Sequence, residues 1–358
     1  MAEISRDEEL GLEPRPGFDA PLSATLTEDA RQGVEGDLRA PAGRGVRRAL
    51  LLLGRYGTII GLVGLCAFFA LKSDAFLTKD NLLIILDSSA LLGIIAAGLT
   101  VTLVMFDFDL SIGYTATLAG MYAAGVAVDH GTTWGIAAGL LAGVLVGVAN
   151  GAIVTLLNVS AFIATLGMAT VIQGVIFGYR QGSQISFGLP EDFSSLGTGS
   201  FRGVSYLIWI MGGVMFVLWL MLQHMPLGRK MYAVGGNPTA ARLSGIRIGR
   251  TRFIAFVIAG LAAGLAGVLL ASNLGTGNPT AGIGYLLDAF TACFIGAATL
   301  RDGEFHIGGT LVGVLILGVL TNGLVLVGVA PDWQTISKGL VLIGAVAIAG
   351  VMRKSSLR

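Results

Sequence analysis

Apolar residues along this chain fall into long runs separated by short polar stretches, and such runs begin only near Ala49. A helix crossing a hydrocarbon core of roughly 30 Å needs about 20 residues at 1.5 Å each. On that measure the runs at 49–70, 82–105, 110–128, 133–157, 161–179, 206–223, 253–272, 284–300, 307–328 and 333–351 predict an all-α fold, a polytopic transmembrane helix bundle of about ten spans. Apolar sequence runs almost unbroken from Leu82 to Val128. One helix of that length would reach about 70 Å, more than twice the core thickness, so it must break. Met105-Phe106-Asp107-Phe108-Asp109 marks the place, and Asn158-Val159-Ser160 divides the fourth run from the fifth.

Residues 1–43 are a different material. They mix Asp7, Glu8, Glu9, Glu13 and Asp19 with prolines and small residues and have no apolar period. Such a segment buries too little surface to offset its ordering entropy, so a disordered cytoplasmic tail is expected. It lacks the short apolar core and small-residue cleavage site of a signal peptide. The transmembrane domain then covers 44–352, and 353–358 form a basic C-terminal tail. Basic residues orient the spans. Arg44, Arg47, Arg48 and Arg55 surround the first; Arg229, Lys230, Arg242, Arg247, Arg250 and Arg252 follow the sixth; Arg353, Lys354 and Arg358 end the chain. An even number of spans puts all three clusters, and both termini, on the cytoplasmic side. The opposite loop at 180–205 is poor in bases and carries Glu191 and Asp192.

Composition agrees with the pattern. The 358 residues are 54% hydrophobic and 13% charged, against about 25% charged in an ordinary soluble domain. Mean hydropathy is +0.79. A net charge of +1 implies no polyanionic partner, so nucleic-acid binding has no support. Cys66 and Cys293 lie in apolar stretches and read as small hydrophobes. His130, His224 and His306 stand alone near segment ends, and no spacing suggests a metal site or another cofactor. No Gly-x-x-x-x-Gly-Lys-Ser/Thr phosphate loop is present, so the chain is not expected to hydrolyse ATP itself. The 54 glycines sit largely inside the apolar runs. Gly139, Gly143, Gly147 and Gly151 share one helix face, as do Gly260 with Gly264 and Gly309 with Gly313. Small faces allow close helix packing in lipid, the first reading here, with a sliding surface as the alternative. Trp134, Trp209 and Trp333 fall near one membrane level, as interfacial anchors or as platforms for sugar rings.

The longest basic loop, 224–252, carries the clearest functional signal. Within it Asn237 suits a helix N-cap, Pro238 the first helical position and Gly245 a left-handed C-terminal position. So short a helix is marginal alone. It is either a surface connector or an element that a partner protein holds. Gly228-Arg229-Lys230-Met231-Tyr232-Ala233-Val234-Gly235-Gly236-Asn237, continuing through Ala240-Ala241-Arg242-Leu243-Ser244-Gly245-Ile246, resembles the coupling segment of the permeases of ribose-type (monosaccharide) ABC importers. Asn81-Leu82-Leu83, Asp109-Leu110-Ser111-Ile112-Gly113, Phe162-Ile163-Ala164-Thr165-Leu166-Gly167, Gly284-Tyr285 with Asp288-Ala289, Asn322-Gly323-Leu324, and Trp333-Gln334 with Lys338-Gly339 resemble further motifs of that family, in its order. The resemblance covers roughly 50–352. The chain departs from it at Phe106-Asp107, where the family has a glycine pair, at Leu286, where it has Glu, and over 296–304.

The resemblance implies a multi-pass inner-membrane permease subunit of an ATP-driven importer for a sugar-like solute. Its partners would be an ABC ATPase subunit, an extracytoplasmic solute-binding protein and a second permease copy in the surrounding lipid. Asn237, Pro238, Thr239, Ala240, Ala241, Arg242, Leu243, Ser244, Gly245 and Ile246 would dock the ATPase, although Arg242 could serve only as a topological charge. Polar residues inside spans are the pathway candidates, because lipid burial disfavours them: Asp109, Asn150, Thr165, Gln173, Asp288 and Asn322. Asp109 and Asp288 could instead cap helix starts. The competing class is an ion-driven carrier, whose marks are buried ionisable pairs and repeated halves with broken helices. We read no clear internal repeat and few intramembrane charges. No nucleophile–base set supports a membrane enzyme.

Overall fold

The computed structural model describes residues 44–298 and 303–356. The tail expected at 1–43 and residues 357–358 lie outside them. Helices follow the apolar runs. The first group is α1 (Arg44–Lys72), α2 (Lys79–Leu103), α3 (Ile112–His130), α4 (Thr132–Leu156) and α5 (Ala161–Gly178). A short α6 (Glu191–Thr198) and a hairpin of β1 (Ser200–Phe201) and β2 (Val204–Ser205) precede α7 (Tyr206–His224), α8 (Pro226–Gly236) and α9 (Pro238–Leu243). Then come α10 (Ile248–Leu274), α11 (Tyr285–Ala297), α12 (Ile307–Leu326) and α13 (Pro331–Ser356). Leu51 onward packs as one unit. Among the described residues the only sheet is that hairpin, so the fold is an all-α membrane bundle. Among the described residues six helices, α2, α4, α5, α7, α10 and α12, are long and apolar enough to cross a membrane. The Gly57–Lys72 part of α1 and all of α11 are shorter apolar helices.

Two helices form the centre. Every residue of α2 from Ser89 to Leu103 is buried, and α10 is buried without interruption from Ala266 to Ser272. A helix apolar on all sides has to be enclosed by others, and these two pack on each other. Around α10 lie α3 and α4; around α2 lie α11 and α12. The arrangement repeats. α3 packs on α4 as α11 packs on α12, α4 on α10 as α12 on α2, and α5 on α3 as α13 on α11. Matching residues mark it: Ile112-Gly113-Tyr114 and Ile283-Gly284-Tyr285, Asn150-Gly151 and Asn322-Gly323, Gly167 and Gly339, at spacings equal within one residue. The reading of no internal repeat is therefore corrected. The two halves agree only at a few scattered positions, with a one-residue offset, so a run-by-run comparison passes over them.

The glycine faces are packing faces. A Cβ on Gly143 would run into the Gly260 carbonyl, and one on Gly147 would come within 2.5 Å of that of Phe256. Gly309 and Gly313 meet Gly296 and Ala292 of α11 in the same way. The long apolar stretch breaks where the aspartates fall: α2 ends at Leu103, α3 starts at Ile112, and Phe106 turns the chain in the left-handed region at φ 58°. That is a strained conformation for a bulky residue.

Candidate functional site

The segment at 224–252 is two short helices and the start of a third. Pro226 opens α8 at its first position, which the sequence signalled but the expectation of one short helix overlooked. Asn237 caps α9, its Oδ1 accepting the Ala240 N–H at 3.0 Å, with Pro238 next. Gly245 ends the helix at φ 80°, while the Ile246 and Gly245 N–H groups return to the Ala241 and Arg242 carbonyls. Of the ten residues Asn237 to Ile246, Ala241 is buried, Ile246 half-buried and the others exposed. Leu243 stands 85% exposed at the tip. A six-residue helix is marginal alone, and this one is held by its caps with its large apolar side chain in the open. Behind it α8 rests on the bundle through buried Met231 and Val234, and the Tyr232 hydroxyl donates to the Phe305 carbonyl at 3.1 Å.

The pathway candidates separate into three places. Asp109, Asn150 and Thr165 come together at the start of α3. The Asp109 Oδ1 accepts the Ser111 N–H (2.9 Å) and hydroxyl (2.6 Å), and the Asn150 amide donates to Ser111 Oγ at 2.8 Å. The Thr165 hydroxyl accepts the Leu110 N–H at 3.0 Å and lies within hydrogen-bond distance of the Phe108 carbonyl. These side chains satisfy backbone groups that a broken helix leaves open. Asn322 is elsewhere, its amide exchanging two hydrogen bonds with that of Asn81 (2.9 and 3.1 Å). Gln173 is exposed on α5, apart from both groups.

Asp288 lies in the third place, the wall of a cavity of ≈ 610 Å³ between α2, α11, α12 and α13. Lys338 of α13 donates to its Oδ2 at 2.9 Å. Ser88, Ser89, Tyr285, Thr291, Thr321 and Thr335 line the same space with hydroxyls. Sequence reasoning quoted Lys338 as a motif residue yet not as a site residue, because the partner of Asp288 lies 50 positions away on another helix. The matching of halves was the available signal. Thr165 reaches from α5 to the start of α3, and Lys338, at nearly the equivalent position of α13, reaches the first turn of α11. Among the described residues no group of three His, Cys, Asp or Glu side chains could hold a metal ion.

The repeat alone would also suit an ion-driven carrier; comparison with known proteins separates the two. Residues 81–346 match the family model described as branched-chain amino acid transport system / permease component. The chain is 40% identical over 295 residues to the ribose import permease protein RbsC of Escherichia coli (strain K12), covering 81% of this chain and 92% of that one. It is 38% identical over 299 residues to RbsC of Bacillus subtilis (strain 168), covering 83% and 93%. To the L-arabinose ABC transporter permease protein AraH of Azospirillum brasilense it is 36% identical over 298 residues, covering 82% and 87%. No solved structure matches. With its apolar helices and these relatives, the chain is a multi-pass inner-membrane transport subunit. It belongs to the permease family of ABC importers, among the ribose-type permeases.

Proposed function

We propose that this chain moves a monosaccharide or a similar neutral, polyhydroxylated solute into the cytoplasm, as one of two identical copies that each engage an ABC ATPase. Ten spans with both termini cytoplasmic are part of the proposal and would leave every basic cluster on one side. The odd-numbered distance from α3 to α11 in that count makes the two halves an inverted repeat, a construction suited to alternating access. The observation that carries the docking role is the exposed, double-capped α9 with Leu243 and Arg242 presented outward. On the outer side α6 and the hairpin offer a built surface to a solute-binding protein: the Ser272 hydroxyl accepts the Gly197 N–H at 2.7 Å and ties α6 to α10.

The cavity beside α13 is the solute's place in the pathway. Its largely apolar wall, with six hydroxyl-bearing side chains and one neutralised ion pair, suits an uncharged solute that carries hydroxyls on a carbon ring. Asp288 then contacts solute, Gln173 lies apart on the exposed face of α5, and Asp109, Asn150, Thr165 and Asn322 brace the walls. ATP energy enters through contacts that differ between states, not through chemistry in this chain.

Purification of the tagged chain from its native membranes in mild detergent tests the docking role. An ATPase is expected with the parent and absent from the Arg242→Glu/Gly245→Pro variant. A chain recovered alone, under conditions that keep known importers whole, would sink the reading.

A further inference from the structure

Directly behind the docking helices, one ion pair joins two parts of the bundle. Asp107 lies in the turn between α2 and α3, and its carboxylate is 2% exposed. Arg252, in the second turn of α10 and just past the docking segment, grips both oxygens: Nε donates to Oδ2 at 2.6 Å and Nη2 to Oδ1. The same turn is touched twice more from the docking side. A Cβ on Gly235 of α8 would run into the Val104 carbonyl, and Phe305, whose carbonyl accepts the Tyr232 hydroxyl, sets its ring edge-on to Phe106 at 5.9 Å. On its far side Phe108 stacks on Phe290 (6.1 Å) and Phe294 (6.4 Å) of α11, the helix that carries Asp288 into the cavity. The turn thus has the docking helices at one end and the cavity wall at the other.

We propose that Asp107 and Arg252 are positioning residues: their two-point grip makes the 104–111 turn move with the docking helices, and the turn passes that movement through Phe108 to α11. A forked, charge-assisted contact resists rotation as well as sliding, which a single hydrogen bond does not. A carboxylate buried at this depth has no water to replace its partner, so the grip does not exchange for solvation. The left-handed Phe106 points the same way. Glycine would hold this turn without help, whereas a strained phenylalanine is held by what surrounds it. The inference rests on α9 being the docking site. It adds that the force leaves that site through this pair.

Hydrogen–deuterium exchange on the chain with its co-purified ATPase in lipid nanodiscs tests it, comparing the nucleotide-free and ADP–vanadate states. In the parent, exchange over 104–111 is expected to change about fivefold or more between states, the lower end of measurable coupling between sites. Asp107→Asn, Arg252→Gln and the double variant should still retain and run the ATPase, and 237–246 should still respond to nucleotide. Their 104–111 response should fall to less than about twofold, with the double variant no worse than either single one, as expected of two residues acting as a unit. Arg252→Lys keeps the charge without the fork and guards against a folding defect; it should lose the response too. Variants that keep the parent's full response would overturn the proposal, as would losses that add in the double variant. No response at 237–246 in the parent would remove the docking reading itself, and the proposal with it.

Discussion

At the scale of single residues, ends and turns matter most, because a helix in lipid has no water to satisfy its open groups. Asn237 supplies one such bond in the open, at the start of α9. Its replacement by Ala should weaken the cap by about 1 kcal/mol and leave the bundle's melting temperature unchanged, since α9 is exposed. Titration of purified ATPase should show affinity reduced about fivefold, the equivalent of that energy. Asp107→Asn should behave in the opposite way. Removing one member of a buried ion pair strands the other, and with Arg252 31% exposed the loss should be about 2–3 kcal/mol. Thermal unfolding in detergent would register it, and Arg252→Gln added to Asp107→Asn should recover part of the loss. A double variant less stable than either single one would contradict this account of the pair.

At the scale of elements, glycine sets how close the helices come. α4 lies against α10 backbone to backbone, because Gly143 and Gly147 meet Gly260 and Phe256 with no side chain between. Gly143→Val should push the two apart and destabilise the chain by about 1–3 kcal/mol, as overpacking does. Gly174→Ala, on an α5 face with nothing within 4 Å, should leave stability unchanged or slightly raised. Equal effects at the two positions would mean that the α4–α10 contact is not tight in the membrane. The four-residue spacing of these glycines was legible in the sequence, and so were the cap at Asn237 and the break after Met105. Local rules govern all three. α8 was less legible, since a helix of 11 residues with polar neighbours reads as loop until Met231 and Val234 are seen to be buried.

At the scale of the whole molecule, the repeat of α2–α5 in α10–α13 accounts for the pairing of central helices. If two copies work together, native mass spectrometry of the complex should find two of these chains with two ATPase subunits. A single permease chain in an active complex would exclude the homodimer.

The sequence by itself determined that the chain is a helical membrane protein, where its main break falls, and where the capped helix at Asn237 begins. Each of these rests on hydrophobic runs, turn chemistry or charge placement, which act over a few neighbouring residues. Only the tertiary structure decided what the polar residues do. Asp109, Asn150, Thr165, Asn322 and Asp288 share one sequence description, a polar group in an apolar run. Packing makes three of them a brace at α3, pairs Asn322 with Asn81, and sets Asp288 with Lys338 in a cavity. A buried polar group takes its role from the partner that satisfies it, and here that partner comes from a distant part of the chain.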